Sequence, residues 1–357
     1  MLKFDYSILQ CPITKENLIY LSKDQALDVI KKNSSDLFKA ENISGGFLNE
    51  CGTYFYPVFS DILLLLSVYA LYVGDGDDKR GKMAFDKERV FKYYNEINYD
   101  IKDELKIYDD ATKWVDFRDV SSDYIRNSFT RTKRYLNTHG KYLLDVASGP
   151  ISFQEYIELS ENFDTRICID ISVKALMQAK YNYRNRKGIY ICADITSLPL
   201  KESACDSVLC QHTLYHIPKN EQKIAVEEMY KVTKPGGKIV IVYSQFYHSL
   251  LLNISILPIQ IYRVARHLAG KVFVRIFNSK PRLYFYPHSI NWFKKTFVFS
   301  NKIDIYCWRS VNKYFLKIYI HEWLFGREIL KWLKISEEKY PKFWGRIGEY
   351  PIILIEK

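Results

Sequence analysis

The sequence lacks long apolar runs and any stretch typical of a signal peptide. Its longest apolar stretches, which start at Ile62 and Ser249, are well short of the ~20 residues that a membrane-spanning helix needs. Each is predicted to be a core or surface-associated helix, and no transmembrane segment is expected. The N-terminal residues show no unbroken apolar segment of the signal-peptide kind.

The sequence also lacks a disulfide framework. Its seven cysteines are odd in number and scattered along the chain, and several lie in or beside apolar runs that look like buried strands: Cys168, Cys192, Cys205 and Cys210. A reducing, cytoplasmic location is the prediction. The length of 357 residues and the hydrophobic content of 48% indicate a globular protein with a sizeable core.

Acidic residues are absent between Met229 and Ile303, a window that holds basic residues throughout. From Phe246 to Lys357 there are 19 Lys and Arg against 7 Asp and Glu. This asymmetry fits either a solvated basic face or an anionic partner. Because the basic residues alternate with helix-length apolar pieces, peripheral contact with a membrane surface is also a hypothesis.

Strand patterns alternate with helix-length patterns between Lys141 and Ser244. This order predicts the α/β class, a doubly wound parallel sheet with ligands at the carboxyl ends of its strands. A Gly/Asp-rich polar segment from Tyr72 predicts a linker. The predicted organisation is a small α+β domain at 1–72, a helical lid or linker at 84–140, and the main domain at 141–357, with a helical insertion at 246–302 covering the acceptor.

Three acidic residues end three of the predicted strands: Asp145, Asp170 and Asp194. Asp145 is followed by a turn of small residues, where a backbone can approach a ligand closely. An acid at the end of the second strand can accept hydrogen bonds from both hydroxyls of a ribose. As a dinucleotide fingerprint the turn is weak, since only Gly149 is in place.

Taken together, the strand ends resemble the class I S-adenosylmethionine-dependent methyltransferases of the type 11 kind. The matching segments are "LLDVASGP", "ICIDIS", "ICADITSLPL", "CDSVLCQHTLYHIP" and "VTKPGGKIVIVYS". The resemblance implies a seven-stranded Rossmann-like sheet and S-adenosylmethionine as the cofactor. It places Asp145 near the methionine amino group, Gly149 against the cofactor and Asp170 on the ribose.

The same resemblance assigns further residues to the cofactor site. Asp194 and Ile195 lie beside the adenine and Gln211 lies at the mouth, while Ala147 and Ile171 adjoin the motif acids. In the usual glycine-x-glycine-x-glycine loop, Ala147 and Ile151 take the first and third places. Ile151 is expected to make the loop run differently.

The first 70 or so residues resemble the short zinc-ribbon-like domain found beside some RNA methyltransferases. Cys11 and Pro12 match its Cys-Pro-x-Cys knuckle, but Thr14 stands at the second cysteine. A closed structural zinc site needs four ligands, whereas this segment offers Cys11 and Cys51. The domain is therefore expected without its metal.

Methylation of a hydroxyl needs a base, and histidine suits that task at neutral pH. His212 and His216 follow the fourth strand and are the candidate catalytic residues; a structural role for His216 as a helix cap is equally open. His288, a further candidate base, is a candidate substrate residue together with Arg263 and Arg266. Arginine can hold a phosphate by two parallel hydrogen bonds.

The favoured function is methylation, at oxygen, of an anionic small molecule, sugar or lipid-linked glycan. Two alternatives stay open. An RNA methyltransferase is suggested by the first domain and the positive charge, and a cofactor-binding scaffold without catalysis is the other.

Overall fold

A mixed sheet of twelve strands forms the centre of the molecule. The computed structural model describes residues 4–33, 40–81, 83, 85–96, 101–102, 107–108, 115–257, 261, 265, 284–298 and 302–357. The sheet strands are β1 (Leu18–Leu21), β2 (Ile43–Asn49), β3 (Tyr54–Phe59), β4 (Ile62–Leu64), β5 (Leu71–Tyr72), β8 (Gly140–Val146), β9 (Phe163–Asp170), β10 (Gly188–Cys192), β11 (Cys205–Gln211), β12 (Thr233–Val242), β13 (Lys302–Arg309) and β14 (Tyr350–Glu356). A separate two-stranded ribbon is formed by β6 (Ile101–Lys102) and β7 (Ile107–Tyr108).

The helices cover both faces of this sheet. They are α1 (Lys23–Lys32), α2 (Phe85–Glu96), α3 (Asp119–Thr130), α4 (Gln154–Glu158), α5 (Val173–Asn182), α6 (Gln222–Val232), α7 (Leu250–Ser255), α8 (Ile290–Thr296), α9 (Lys313–Tyr319), α10 (Gly326–Lys339) and α11 (Pro341–Ile347). Among the described residues, no helix is long and apolar enough to cross a membrane.

The strands from residue 140 onwards have the order β10-β9-β8-β11-β12-β14-β13. Neighbours from β10 to β12 are parallel, whereas β14 is antiparallel to both β12 and β13. Because the central strands are buried on both faces, their sequences are nearly continuous apolar runs. The predicted α/β class is confirmed. The carboxyl ends of all six strands other than β14 lie at one edge, called here the ligand edge.

The N-terminal strands extend this sheet. Strand β4 pairs in parallel with β10, with Ile62 opposite Tyr190 and Leu64 opposite Cys192. The apolar run from Ile62 consists of two short strands joined by a single turn of 3-10 helix (Ser67–Tyr69), and the α-helix predicted there is wrong. Short apolar runs fit buried strands and buried helices equally well by periodicity, which is why the pattern misled. The domain boundary near residue 72 stays a prediction.

The N-terminal unit also holds the loop that follows β10. Gln10 N donates to Pro199 O at 3.1 Å, and Lys201 N donates to Ile8 O at 2.8 Å. Ser197 Oγ donates to Pro12 O at 2.8 Å. This loop begins at Asp194, so the segment from Ile8 to Pro12 supports one wall of the ligand edge.

The sulfur atoms of the N-terminal unit make ordinary hydrogen bonds. Cys11 Sγ lies 3.3 Å from Tyr56 Oη, and Thr14 N donates to Cys11 Sγ at 3.3 Å. Cys51 is exposed and lies beside Thr53. In the part of the chain that the structure describes, no group of three or more His, Cys, Asp or Glu could hold a metal ion. A zinc-ribbon identity for this unit is not shown.

Candidate active site

The loop after β8 carries three residues in the left-handed backbone region. Their φ angles are +55° at Ala147, +57° at Gly149 and +49° at Ile151. Open space lies where a Cβ would project from Gly149, so a ligand can approach the backbone there. Ile151 is buried in the core. A β-branched residue with such a backbone conformation costs about 1–3 kcal/mol of strain. Ile151, which stands where the usual loop has a glycine, therefore strains the backbone.

Asp170 fixes that loop to the end of β9. Its Oδ2 accepts from Gly149 N at 2.9 Å, and its Oδ1 accepts from Ser172 N at 2.8 Å. Burial raises the pKa of Asp170 to about 6, and the two N–H groups limit the rise. The carboxylate is thus ionised at neutral pH, and each oxygen has a further lone pair for a ribose hydroxyl.

Asp145 is buried and paired with Arg166 of the neighbouring strand. Arg166 Nε donates to Asp145 Oδ2 at 3.0 Å, and Nη2 donates to the same oxygen. Arg166 Nη1 donates to Tyr156 O at 2.5 Å. Burial raises the pKa of Asp145, and the guanidinium opposes that rise. The ion pair uses Oδ2, which leaves Oδ1 as the oxygen that could face a ligand.

The sequence prediction missed Arg166, although a signal was present. A charged residue within the apolar strand "TRICID" is buried, and a buried arginine requires an acidic partner. Asp145 was the acidic residue of the adjacent strand nearest to Arg166, in a diagonal position, since Leu143 pairs with Arg166 and Asp145 with Cys168.

Asp194 is paired with a second cation that was not predicted, Lys87. Lys87 Nζ lies 2.7 Å from Asp194 Oδ2, 2.6 Å from Glu221 Oε2 and 2.9 Å from Thr196 Oγ1. Burial opposes the charge on Lys87, but the two carboxylates together raise its pKa. Lys87 belongs to α2 (Phe85–Glu96), so this helix of the segment predicted as a lid lies beside the ligand edge.

The same helix also contacts the end of β9. Ser172 Oγ donates to Tyr94 O at 3.1 Å. Phe91 contacts the ring of Tyr69 and packs against the same apolar cluster as Ile171. Ile171 and Ile195 are partly buried and present apolar surface beside the acids. An adenine ring has the shape and polarity for such a wall.

Gln211 ends β11 with its side-chain oxygen in the interior. Gln211 Oε1 is buried and has no hydrogen-bond partner among the described residues. A buried acceptor of this kind is expected to bind a donor from water or a ligand. Its position at the ligand edge agrees with the predicted place at the mouth of the site.

The two candidate catalytic histidines have different surroundings. His216 Nδ1 lies 2.7 Å from Tyr284 O; because a carbonyl only accepts, the neutral ring carries its proton on Nδ1 and has Nε2 as the basic nitrogen. The ring of His212 lies 4.4 Å from that of Trp308. Burial, and then the charge of Arg309, lowers the pKa of His212 to about 3. His212 is therefore a neutral and weak base.

Part of the candidate substrate region, including His288, lies within the described residues. The segment Tyr284–Ser289 crosses the loop after β11, where Tyr286 N donates to Tyr215 O at 2.8 Å. His288 stacks on Trp292 with ring centroids 4.1 Å apart, and burial lowers its pKa. Arg263 and Arg266 lie outside the described residues. The predicted roles of all these residues, like those of the cofactor residues, stay predictions.

Known proteins match the region that builds this site. Residues 144–241 match the family model described as "Methyltransferase domain". This part of the chain is similar in sequence to a methyltransferase domain. The predicted enzyme class and the predicted cofactor, S-adenosylmethionine, are thereby confirmed for the domain.

Two curated relatives illustrate the range of acceptors. The chain is 33% identical over 138 residues to a demethylmenaquinone methyltransferase of Renibacterium salmoninarum, which covers 36% of this chain and 54% of that protein. It is 30% identical over 101 residues to a malonyl-[acyl-carrier protein] O-methyltransferase of Erwinia billingiae, an alignment that covers 28% of this chain and 38% of that protein. The chain thus spans about half or less of the length of these relatives.

Among solved structures, a SAM-dependent methyltransferase from Archaeoglobus fulgidus aligns with a TM-score of 0.41 and 16% identity. That alignment covers 66% of this chain and 94% of the other.

Proposed function

We propose that the chain transfers the methyl group of S-adenosylmethionine to an oxygen atom of a small anionic acceptor. The observation that carries this is the ligand edge itself: a thin left-handed loop at Gly149, tied to the ionised Asp170, within a methyltransferase domain. The open space beside Gly149 and the buried Gln211 Oε1 fit a bound cofactor. When bound, the cofactor supplies an electrophilic methyl group on a sulfonium.

The chain's own residues would hold that cofactor by complementary charge and shape. Asp170 accepts from the ribose hydroxyls, and Asp145 Oδ1 faces the methionine amino group. Ala147 and Gly149 contribute the loop backbone against which the cofactor would lie. Ile171, Asp194 and Ile195 lie beside the adenine in this proposal.

The ribose assignment is tested by calorimetry with S-adenosylmethionine on Asp170→Asn. Replacing a charged acceptor by an amide should cost about 1.5–3 kcal/mol of binding free energy, a loss of about tenfold or more in affinity. Asp164→Asn is the matched control, because Asp164 is exposed on the same strand. Equal affinity in both variants would remove Asp170 from the ribose site.

His216 is the proposed general base, since its basic Nε2 is set by the hydrogen bond from Nδ1 to Tyr284 O. His216→Ala should lower methyl transfer by about 100-fold or more with cofactor affinity unchanged. The assay follows labelled methyl transfer into an extract of small molecules. His139→Ala, an exposed histidine at the opposite end of β8, serves as control. A normal rate in His216→Ala would transfer the role to His212 or His288, or to alignment alone.

Several finer features belong to the same proposal. They are an acceptor cover built by residues 246–302, contacts from Arg263 and Arg266, peripheral membrane contact and a cytoplasmic location. The relatives' names support a small-molecule or carrier-linked acceptor. Methylation of RNA remains the second candidate because of the basic window, and nucleic acid that co-purifies with methylation activity would favour it.

A further inference from the structure

Arg309 is a buried arginine at the ligand edge that has no assigned role. It ends β13 (Lys302–Arg309), and its residue is only 3% exposed. Its Nε and Nη1 atoms are buried and have no hydrogen-bond acceptor among the described residues. None of the ion pairs between described residues includes it, whereas the buried Arg131 and Arg166 each have a carboxylate.

Among the described residues, the guanidinium of Arg309 contacts aromatic rings, and no carboxylate forms an ion pair with it. Its Cζ lies 5.0 Å from the ring centroids of both Trp308 and Tyr350, and the Tyr350 hydroxyl also interacts with the guanidinium. Such cation–π contacts offset only part of the cost of burying a guanidinium. A buried guanidinium with two unsatisfied nitrogen atoms and no paired carboxylate among the described residues is rare enough to need an explanation.

The position of Arg309 indicates which ligand would provide that partner. His212, directly after β11, places its ring 4.4 Å from Trp308 and 5.5 Å from Tyr350, so Arg309 and His212 contact the same two rings. Trp308 Nε1 is another buried donor without a partner among the described residues. The three cofactor acids end β8 and β9 and follow β10, which lie towards the other side of the sheet.

We propose that Arg309 binds an oxyanion of the methyl acceptor, a carboxylate or a phosphate, and thereby holds the acceptor beside the end of β11. This inference rests on the proposed methyltransferase function. An oxyanion accepts charge-assisted hydrogen bonds from guanidinium N–H groups, and these fix orientation as well as affinity. Arg309 is close enough to His212 for its charge to contribute, after burial, to the low pKa of that ring.

The experiment measures thermal stability of the protein with S-adenosylhomocysteine present. Inorganic phosphate and malonate are the two probes, each compared with sodium chloride at equal ionic strength to remove general screening. At least one probe should raise the Tm of the wild type by about 2 °C or more in a saturable way. An effect of phosphate alone indicates a phosphate-bearing acceptor, and an effect of malonate alone a carboxylate.

Arg309→Met should abolish the probe effect while S-adenosylmethionine still binds by calorimetry. Arg309→Lys, which keeps the charge but loses the planar set of donors, should weaken it. Arg327→Met changes an exposed arginine that pairs with Asp119 and Glu322, and should behave as wild type.

Two outcomes would overturn the proposal directly: no probe effect in the wild type, or the same probe effect in Arg309→Met as in the wild type. A third would be the loss of both the probe effect and S-adenosylmethionine binding in Arg309→Met, which would assign Arg309 a structural role. If Arg309→Met does not fold, an undiminished probe effect in Arg309→Lys would also contradict it. Failure of the wild type to bind S-adenosylmethionine would instead refute the proposed function, so the two failures are distinguishable.

Discussion

Breaking the buried Asp145–Arg166 pair should cost more stability than any exposed ion pair of this molecule. Arg166→Met removes both hydrogen bonds to Asp145 Oδ2 and the bond to Tyr156 O. It also leaves a carboxylate that is 2% exposed without its cation. Removing one partner of a buried pair costs about 3–5 kcal/mol.

The double variant Asp145→Leu/Arg166→Met separates the pair from its burial. Two apolar residues of similar volume leave no uncompensated charge, so the double variant should lie within about 1 kcal/mol of wild type. The single variants and the double variant together give a coupling energy of several kcal/mol, which is a direct measure of the interaction. Equilibrium unfolding in urea at neutral pH, followed by tryptophan fluorescence, supplies the free energies.

Arg184→Met is the matched control, because Arg184 is exposed and its side chain contacts the neighbouring Tyr181, by a hydrogen bond to its backbone carbonyl and a cation–π contact with its ring. It should change stability by no more than about 0.5 kcal/mol. A loss below about 1 kcal/mol in Arg166→Met, or a double variant as unstable as the sum of the singles, would refute the reasoning. The folded double variant should also bind S-adenosylmethionine weakly, since the acid proposed for the amino group is absent.

Two further predictions concern pH and the N-terminal unit. Because the pKa of Asp170 is raised to about 6, its carboxylate is ionised above and protonated below that pH, so affinity for S-adenosylmethionine should fall as pH decreases through 6, by up to about tenfold per unit. Calorimetry should show this in the wild type and not in Asp170→Asn. Leu64→Ala should lower the free energy of unfolding by about 2–5 kcal/mol and lower the temperature of one common unfolding transition. Val68→Ala, at an exposed position, should change neither. Two separate transitions in calorimetry would contradict a core shared by the N-terminal unit and the rest of the sheet.

The central strands could be predicted because parallel strands are buried on both faces. The segment "CDSVLCQ" is a strand at Cys205–Gln211, and the run "TRICID" lies within Phe163–Asp170. Their ends could be predicted too, since an acid or amide marks the point where an apolar run stops. The pairing of β4 with β10 could not, because Ile62 and Tyr190 are distant in sequence and no local pattern encodes their register.

The limits of the site prediction have the same physical origin. Asp145 and Asp194 were found from their places at strand ends, but their cations depend on contacts between distant segments. Lys87 reaches Asp194 from 107 positions away in the sequence, and a lysine on an amphipathic helix normally predicts a solvated face. Arg309 was overlooked for a related reason: in a basic C-terminal region, one buried arginine cannot be told from exposed ones.

The distribution of charge at the ligand edge bears on the direction of methyl transfer. Asp145 and Asp194 each have a built-in cation, whereas Asp170 is held by backbone N–H groups. The proposed cofactor side is therefore less negative than its three acids suggest, and the proposed acceptor side carries the buried positive charge of Arg309. Transfer of a methyl from a sulfonium to an oxyanion or a deprotonated hydroxyl removes one positive and one negative charge. A fixed cation that binds a second anionic group of the acceptor attracts and orients it without taking part in that neutralisation.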